Sequence, residues 1–510
     1  MTSSISVARQ LMVGSLLRSV AYHEPDRTAV QMGEKVYTYA QLEKTALQIA
    51  GWLQSKDVKQ DSKVGFIFKN SLEFVEVFWG ITLSGGVGVP INFRLASDEF
   101  VYIINDSDSE ILFIEEDYVD LIETIRTQLP KVKEIVIVSE RNIANTTNYK
   151  DIFTSNNTFE EVEQTDNDAC MIMYTSGTTG KPKGAVMTHK NLVMNAQNLV
   201  RELQLEPYTR QIITAPLFHI AAMGSLLYCF LSKATVFIHR DFHPIAILEC
   251  IEKEKINCIF LVPAMWNFVT SVPNIENYDL SSMEVCVAGA EICPVQLKEK
   301  VMKYFSNAKF YDVFGQTEMS PATLMLKPAD SIRKAASVGK PILNVEVRIV
   351  DENMQDVPIG EIGEIVYRGP TLMKEYYKKT EETKEAFKGG WFHSGDLVSI
   401  DEEGFIYVRD RKKDMIISAG ENIYPAEVEG VLYKHAGIFE AAVVGVPDEQ
   451  WGESVKAYIV LKEGYTLTHE EVINHCAPLL ASYKKPKYVE FIDQLPRNAS
   501  GKILKRLLKQ

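Results

Sequence analysis

A chain of 510 residues is too long for one hydrophobic core and implies two to four domains or subdomains. Its make-up, 46% apolar, 24% charged and 10% aromatic, is that of a soluble globular protein, and a formal net charge of −14 argues against a nucleic-acid binder, which carries a basic patch or stripe. Seven scattered cysteines (170, 229, 250, 258, 286, 293 and 476) without a CxxC pair argue against a zinc or thioredoxin-like site and fit a reducing cytoplasm.

Residues 5–21 read as an amphipathic helix, without the pattern of a signal peptide, before a turn at 23–27. Strand-like runs follow at 63–68, 86–91, 110–116 and 134–140, with a helix at 71–85 that stops at Gly85–Gly86. Runs at 257–263 and 283–291 continue the series, and no run reaches the roughly 18 apolar residues of a membrane span. Strand–helix alternation of this kind predicts an α/β fold with parallel sheets. After about residue 340 short β runs are joined by Gly, Asp and Pro turns, which predicts a β-rich subdomain over about 340–410. A smaller α+β unit follows, with a helix near 425–434, strands at 440–446 and 456–461, and a helix at 468–480. The expected division is thus a large domain 1–410 and a small one 411–510. Residues 483–510 hold eight Lys/Arg against two acids, either a solvated basic face or a surface that meets an anion.

In the segment "YTSGTTGKPKGAVMTH" (174–189), residues 175–184 hold three threonines, a serine, three glycines and two lysines, after an apolar run and leading into the strand-like "GAVMT". A Walker A loop would need four residues between its glycines and a helix directly after its lysine; here Gly177 and Gly180 are two residues apart and the helix comes later, at 190–203. No GxGxxG follows any strand, so a dinucleotide loop fails as well. Backbone N–H groups freed by glycine, hydroxyl donors and ammonium groups suit another kind of triphosphate cradle.

This segment resembles the phosphate-loop signature of the adenylate-forming enzymes, which include acyl-CoA synthetases, coumarate–CoA ligases, luciferases and peptide-synthetase adenylation domains. Partner motifs follow in order: "AGAE" (288–291), "YDVFGQTE" (311–318), "WFHSGDL" (391–397), "YVRDRKKDMIISAGENIYPAEVE" (407–429) and "PRNASGKILKRLL" (496–508). Departures are small: Phe314 where tyrosine is commoner, Ala288, and Asp410 where many members have glycine.

The resemblance implies ATP, Mg²⁺ and coenzyme A as co-reactants, and a mobile C-terminal domain carrying a catalytic lysine. Thr175, Ser176, Gly177, Thr178, Thr179 and Lys183 would hold the β- and γ-phosphates. Thr317 would meet the α-phosphate and Glu318 would hold Mg²⁺, which prefers oxygen ligands. Gly289, Ala290 and Glu291 would lie on the adenine side, with Asp312, Phe314, Gly315 and Gln316 near the nucleotide. Asp396 would accept the ribose hydroxyls and Arg411 would add a donor. Lys502 would place its charge between carboxylate and α-phosphate. The hinge would be Lys413, and Gly420 would approach the thiol channel after rotation.

The segment "APLFHIAAMGSLLYCFL" (215–231) resembles the family's acyl-pocket segment. His219 there either gates the pocket or caps a core segment, and Trp266 either lines it or belongs to the core. An apolar acid is implied, medium- or long-chain fatty acids first, with aromatic acids of the coumarate or benzoate type as the alternative. A stand-alone adenylation enzyme that loads a carrier protein is the second enzyme reading, and a non-enzymatic binding protein does not explain the full motif set. The sequence does not decide between a monomer and a homodimer.

Overall fold

The apolar runs of the first 340 residues become strands of two large sheets in the computed structural model of the protein, which describes residues 9–154, 157–175, 181–291, 293–418, 421–448, 450–497 and 503–509. Two compact units account for the chain: Met1–Glu346 with Arg368–Phe392, and Val347–Tyr367 with His393–Gln510. Where the sequence suggested one cut at 410/411, compactness groups part of the β-rich stretch with the C-terminal residues.

The first unit contains both large sheets. One runs in the order Lys340–Pro341, Ala322–Leu326, Lys309–Gly315, Val285–Gly289, Cys258–Leu261, Arg210–Ile213, Thr235–Ile238, Thr28–Met32, Lys35–Thr38, and the six strands from Lys309–Gly315 to Thr28–Met32 are parallel. The other runs Glu375–Tyr376, Lys183–Thr188, Ala169–Thr175, Val87–Pro90, Lys63–Ile67, Ser109–Glu115, Glu134–Val138, Thr147–Asn148. Parallel strands are covered on both faces, which is why they read as continuous apolar runs. The helix Leu72–Ser84 packs against strands of both sheets and is buried nearly all round, so it lacks a polar face. Ser71 starts it by accepting from Phe74 N, and Gly85, at φ +89°, ends it. Near the N-terminus the helix is Gly14–His23, shorter than expected from periodicity; residues 5–8 of that prediction lie outside the described residues.

In the second unit a four-stranded sheet runs Glu346–Val350, Gly363–Arg368, Phe392–Ile400, Ile406–Arg411. A further sheet pairs Ile438–Asp448 with Gly452–Leu461 as a long hairpin, flanked by Ile416–Ser418, Glu421–Ile423 and Tyr488–Phe491. The helices Pro425–Leu432 and His469–Cys476 supply Val428, Leu432, Val472 and Cys476 to its core. Four basic groups of the C-terminal segment are ion-paired within this unit: Lys484 to Glu427, Lys487 to Asp448, Lys505 to Glu429 and Arg497 to Glu440. Half of the segment's eight basic groups are therefore neutralised. Among the described residues no helix is long and apolar enough to cross a membrane.

Candidate active site

The phosphate-loop segment joins two directly paired antiparallel strands, with Thr175 opposite Lys183 and Tyr174 opposite Gly184. The strand Lys183–Thr188 stands between the loop and the helix His189–Glu202, the opposite of a Walker A arrangement. Thr188 caps that helix reciprocally with Asn191. Thr175 and Lys183 are half-buried at the base of the loop; Ser176, Gly177, Thr178 and Thr179 lie outside the described residues.

Glu318 is brought to the same place by a two-residue strand. Glu375–Tyr376 extends the sheet beside Lys183–Thr188, with Tyr376 opposite Ala185. The Tyr376 hydroxyl donates to Glu318 Oε1 at 2.8 Å, and Lys183 Nζ lies 5.2 Å from the centre of the same ring. Burial raises the Tyr376 phenol pKa far above its ordinary value, and the Glu318 charge adds to this, so the phenol keeps its proton. Thr317 and Glu318 sit in the 3₁₀ turn Thr317–Met319. Helix His189–Glu202 holds that turn from below. Asn195, fully buried, donates to Met319 O (3.1 Å) and Ala322 O (3.0 Å) and accepts from Ala322 N (3.4 Å). On the same helix face Asn191 donates to Pro370 O at 2.8 Å and Asn198 accepts from Asn344 at 3.0 Å.

The remaining nucleotide-side candidates of this unit stand at the carboxyl ends of adjacent parallel strands, where ligands of α/β sheets bind. Gly289 ends one strand, opposite Val313 on the next. Ala290 follows at φ +72°, a strained conformation for alanine, and both it and Glu291 are exposed. Phe314 and Gly315 end the neighbouring strand and Gln316 follows it, all half-buried. A Cβ on Gly315 would come within 2.0 Å of Pro321 O, so only glycine lets the chain fold back there. The Gln316 Nε2 is buried with no hydrogen-bond partner among the described residues. Asp312 points elsewhere: its carboxylate is 2.9 Å from the ammonium of Lys298, which is fully buried and also donates to Ala335 O. Burial raises the Asp312 pKa and Lys298 opposes the rise.

His219 precedes the helix Ile220–Leu231, and its ring lies against Phe218 at 4.3 Å between centroids. Burial, with Arg94 adding to it, lowers its pKa to about 4, so the ring is neutral at pH 7. Asn70 fixes the loop before it, donating to Ala215 O and accepting from Leu217 N. Trp266 is core: it is fully buried among Phe305 and Phe310, and its Nε1 donates to Val287 O.

In the second unit Asp396 and Arg411 face each other across paired strands, with Arg411 Nε 2.7 Å from Asp396 Oδ1. Asp396 is only 2% exposed. A buried carboxylate that the sequence did not single out, Glu364, organises their surroundings. It accepts from Gly395 N (3.0 Å) and Lys412 Nζ (3.1 Å) and lies 3.1 Å from His393 Nδ1. Burial raises the Glu364 pKa, but His393 and Lys412 outweigh it and hold the group below the usual carboxylate value. Gly395, at φ +72°, supplies the left-handed turn that aims its N–H at Glu364. Asp410 accepts from Arg411 N and from Ala426 N, in the first turn of helix Pro425–Leu432. That gives a local reason for an acid where glycine is common. Lys413 is exposed in the turn after Arg411; Gly420 and Lys502 lie outside the described residues.

The donor set suits a hard cation. Among the described residues no group of three or more His, Cys, Asp or Glu could enclose a metal. Glu318 is a single carboxylate without an ion pair among them, so most of a cation's shell would be phosphate oxygen and water, the preference of Mg²⁺. The asparagine face was legible in principle, since 191, 195 and 198 recur at helical spacing directly after the loop. Tyr376 gave no signal, because two residues carry no periodicity.

The profile of AMP-binding enzymes matches residues 17–377, and that of the AMP-binding enzyme C-terminal domain matches residues 427–502. A feruloyl-CoA synthase of Amycolatopsis is 36% identical over 94% of this chain and 95% of its own length. An indoleacetate–CoA ligase of Aromatoleum aromaticum is 35% identical over 96% and 95%, and a long-chain-fatty-acid–CoA ligase of Mycobacterium tuberculosis is 34% identical over 97% and 95%. The solved o-succinylbenzoate CoA synthetase of Bacillus subtilis, in complex with its acyl-adenylate intermediate, superposes with a TM-score of 0.86 at 30% identity, over 97% of this chain and 98% of that one; the same enzyme is known with ATP and magnesium ion. The hairpin loop, the Glu318 turn and the Asp396–Arg411 pair thus belong to a chain of the AMP-binding enzyme family, among the AMP-forming acyl-CoA synthetases.

Proposed function

We propose that the chain joins an apolar carboxylic acid to coenzyme A in two steps, with medium- or long-chain fatty acids as its first substrate class. In the first step a carboxylate oxygen attacks the α-phosphorus of ATP, the bond to the β-phosphate oxygen breaks, and pyrophosphate leaves. In the second the coenzyme A thiol, losing its proton, attacks the acyl carbonyl and AMP leaves. The carrying observation is that Lys183 and Glu318 both contact Tyr376: a cation for phosphate near a carboxylate for a cation, at the base of a glycine-rich hairpin.

Thr175, Ser176, Gly177, Thr178, Thr179 and Lys183 hold the outgoing phosphates in this reading, and Thr317 meets the α-phosphate. Glu318 holds Mg²⁺, which when bound offsets phosphate charge. The carboxyl-end residues Gly289, Ala290, Glu291, Phe314, Gly315 and Gln316 border the base. Asp396 and Arg411 serve the ribose, and Lys502 supplies the charge between the two reacting anions. Asp312 acts through Lys298 on the strand that leads to Phe314 rather than on ligand. Residues 411–510 move about Lys413 between the steps and bring Gly420 to the thiol.

The apolar substrate rests on the helix Ile220–Leu231, which carries no charged residue, and on the neutral His219 at its start. Aromatic acids are the second reading, favoured by the relatives that act on feruloyl and indoleacetyl groups. The seven cysteines, all free, support a reducing, cytoplasmic setting. The test is AMP release across fatty and aromatic acids, with and without coenzyme A. Coenzyme A-dependent turnover of fatty acids is expected; turnover only with hydroxycinnamates supports the second reading, and turnover only with an acyl-carrier protein overturns the ligase.

A further inference from the structure

Lys183 and Glu318 carry opposite charges and both adjoin Tyr376, yet neither forms an ion pair among the described residues. Two such side chains beside one ring would ordinarily turn toward each other, and a Lys–Glu pair formed that way would consume the groups meant for phosphate and cation. Tyr376 contacts both. Its hydroxyl occupies one oxygen of Glu318, and its ring face takes the Lys183 ammonium. The ring itself is anchored: Tyr376 is paired with Ala185, its backbone N–H is bound by Thr383 Oγ1 at 3.0 Å, and Met373 N binds Glu318 O at 2.7 Å. The tyrosine and the carboxylate therefore arrive on backbones tied to each other.

We propose that Tyr376 is a positioning residue that keeps Lys183 and Glu318 apart and presents Glu318 to Mg²⁺ in a fixed orientation. The proposal rests on the reading of Glu318 as the Mg²⁺ carboxylate. Tyr376 donates a hydrogen bond to one carboxylate oxygen, which leaves the other oxygen of Glu318 directed by the bond rather than free to rotate. The ring holds Lys183 by its face, an attraction weaker than a salt bridge and one that a phosphate can displace.

The two contacts separate by substitution. Tyr376→Phe removes the hydroxyl and keeps the ring; Tyr376→Leu removes both. ATP binding is measured by calorimetry at zero Mg²⁺ and across a Mg²⁺ series, with circular dichroism and thermal unfolding to verify the fold. Tyr376→Phe is expected to bind metal-free ATP like the parent protein but to need roughly ten- to 100-fold more Mg²⁺ for half of the metal-dependent gain, the loss of about one hydrogen bond to a charged group. Tyr376→Leu is expected to weaken metal-free ATP binding as well, because Lys183 then turns to Glu318. Glu318→Gln provides the reference. If Glu318→Gln raises the Mg²⁺ requirement and Tyr376→Phe does not, the positioning role of Tyr376 falls while the metal reading stands. If Glu318→Gln leaves the requirement unchanged, the metal reading falls and the positioning role with it.

Discussion

Replacing Asn195 by alanine isolates the support beneath the Glu318 turn. The side chain has no contact with solvent and makes three hydrogen bonds to the backbone of residues 319–322: two at 3.0–3.1 Å and one, at 3.4 Å, too long to count for much. Alanine leaves the carbonyls of Met319 and Ala322 buried without this donor. Each orphaned group costs about 1–3 kcal/mol, and a water entering the space offsets part of that, so the loss of stability is about 2–4 kcal/mol. Aspartate should be worse than alanine, because it turns a carboxylate toward two carbonyl oxygens. The activity follows from geometry. Thr317 and Glu318 ride on the released turn, and a misplacement of about 1 Å in a positioned group costs on the order of 100-fold in rate. Urea unfolding gives the first quantity, and ATP–pyrophosphate exchange, measured well below the unfolding transition, gives the second. An Asn195→Ala protein that loses the stability but keeps the parent kcat would show that Asn195 supports the fold alone. A protein that loses neither would refute the account of the turn.

Lys298→Met leaves Asp312 as an unpaired buried acid and should cost about 3–5 kcal/mol in urea unfolding, while Lys298→Met with Asp312→Leu should recover most of it; ATP affinity in the double variant close to the parent value would place Asp312 outside the nucleotide contacts. His189 is fully buried, accepts from Val13 N at 3.3 Å, and is lowered to about 4 by burial, partly opposed by Asp168 and Asp166. The unfolded chain takes up this proton near pH 6.5 and the folded one only near 4, so the contribution is complete above 6.5 and is lost as pH falls toward 4, about 2 kcal/mol of it by pH 5. His189→Gln, which retains an acceptor, should abolish that share of the difference between unfolding at pH 7 and pH 5; an unaltered difference would exclude His189 as its source.

What could be read in advance follows a physical division. The parallel strands were legible because burial on both faces forces continuous apolar runs, and Lys63–Ile67, Ser109–Glu115 and Val285–Gly289 fall within a residue or two of the runs that suggested them. The loop hairpin was legible because "GAVMT" has strand chemistry where a Walker loop needs a helix. Helix ends were less so: the expected helix at 468–480 closes at Cys476, although its Thr468–Glu471 capping box is plain in the sequence. Partners distant in the chain were not legible, even where, as for Asn195, the spacing of the residue itself was. Glu364 meets His393, Gly395 and Lys412, and Asn195 meets Met319 and Ala322, each across separations that no local pattern encodes.

Those unread residues share a chemistry. Asn191, Asn195, Tyr376 and Glu364 are polar groups bound to backbone or to another site residue, and none is asked to touch substrate. A site that must gather a triphosphate, a carboxylate and a cation cannot lean on apolar packing at its rim, because the backbone there is turned out of regular structure and its N–H and C=O groups need partners. Neutral amides and a protonated phenol satisfy that need without adding charge. Glu364 does so as an acid only because Lys412 and His393 stand against it. The charges left without such support are Lys183 and Glu318 in the first unit and the Asp396–Arg411 pair in the second. Replacing any of the supporting amides by a charged residue should therefore harm adenylation more than replacing it by an apolar one of similar size.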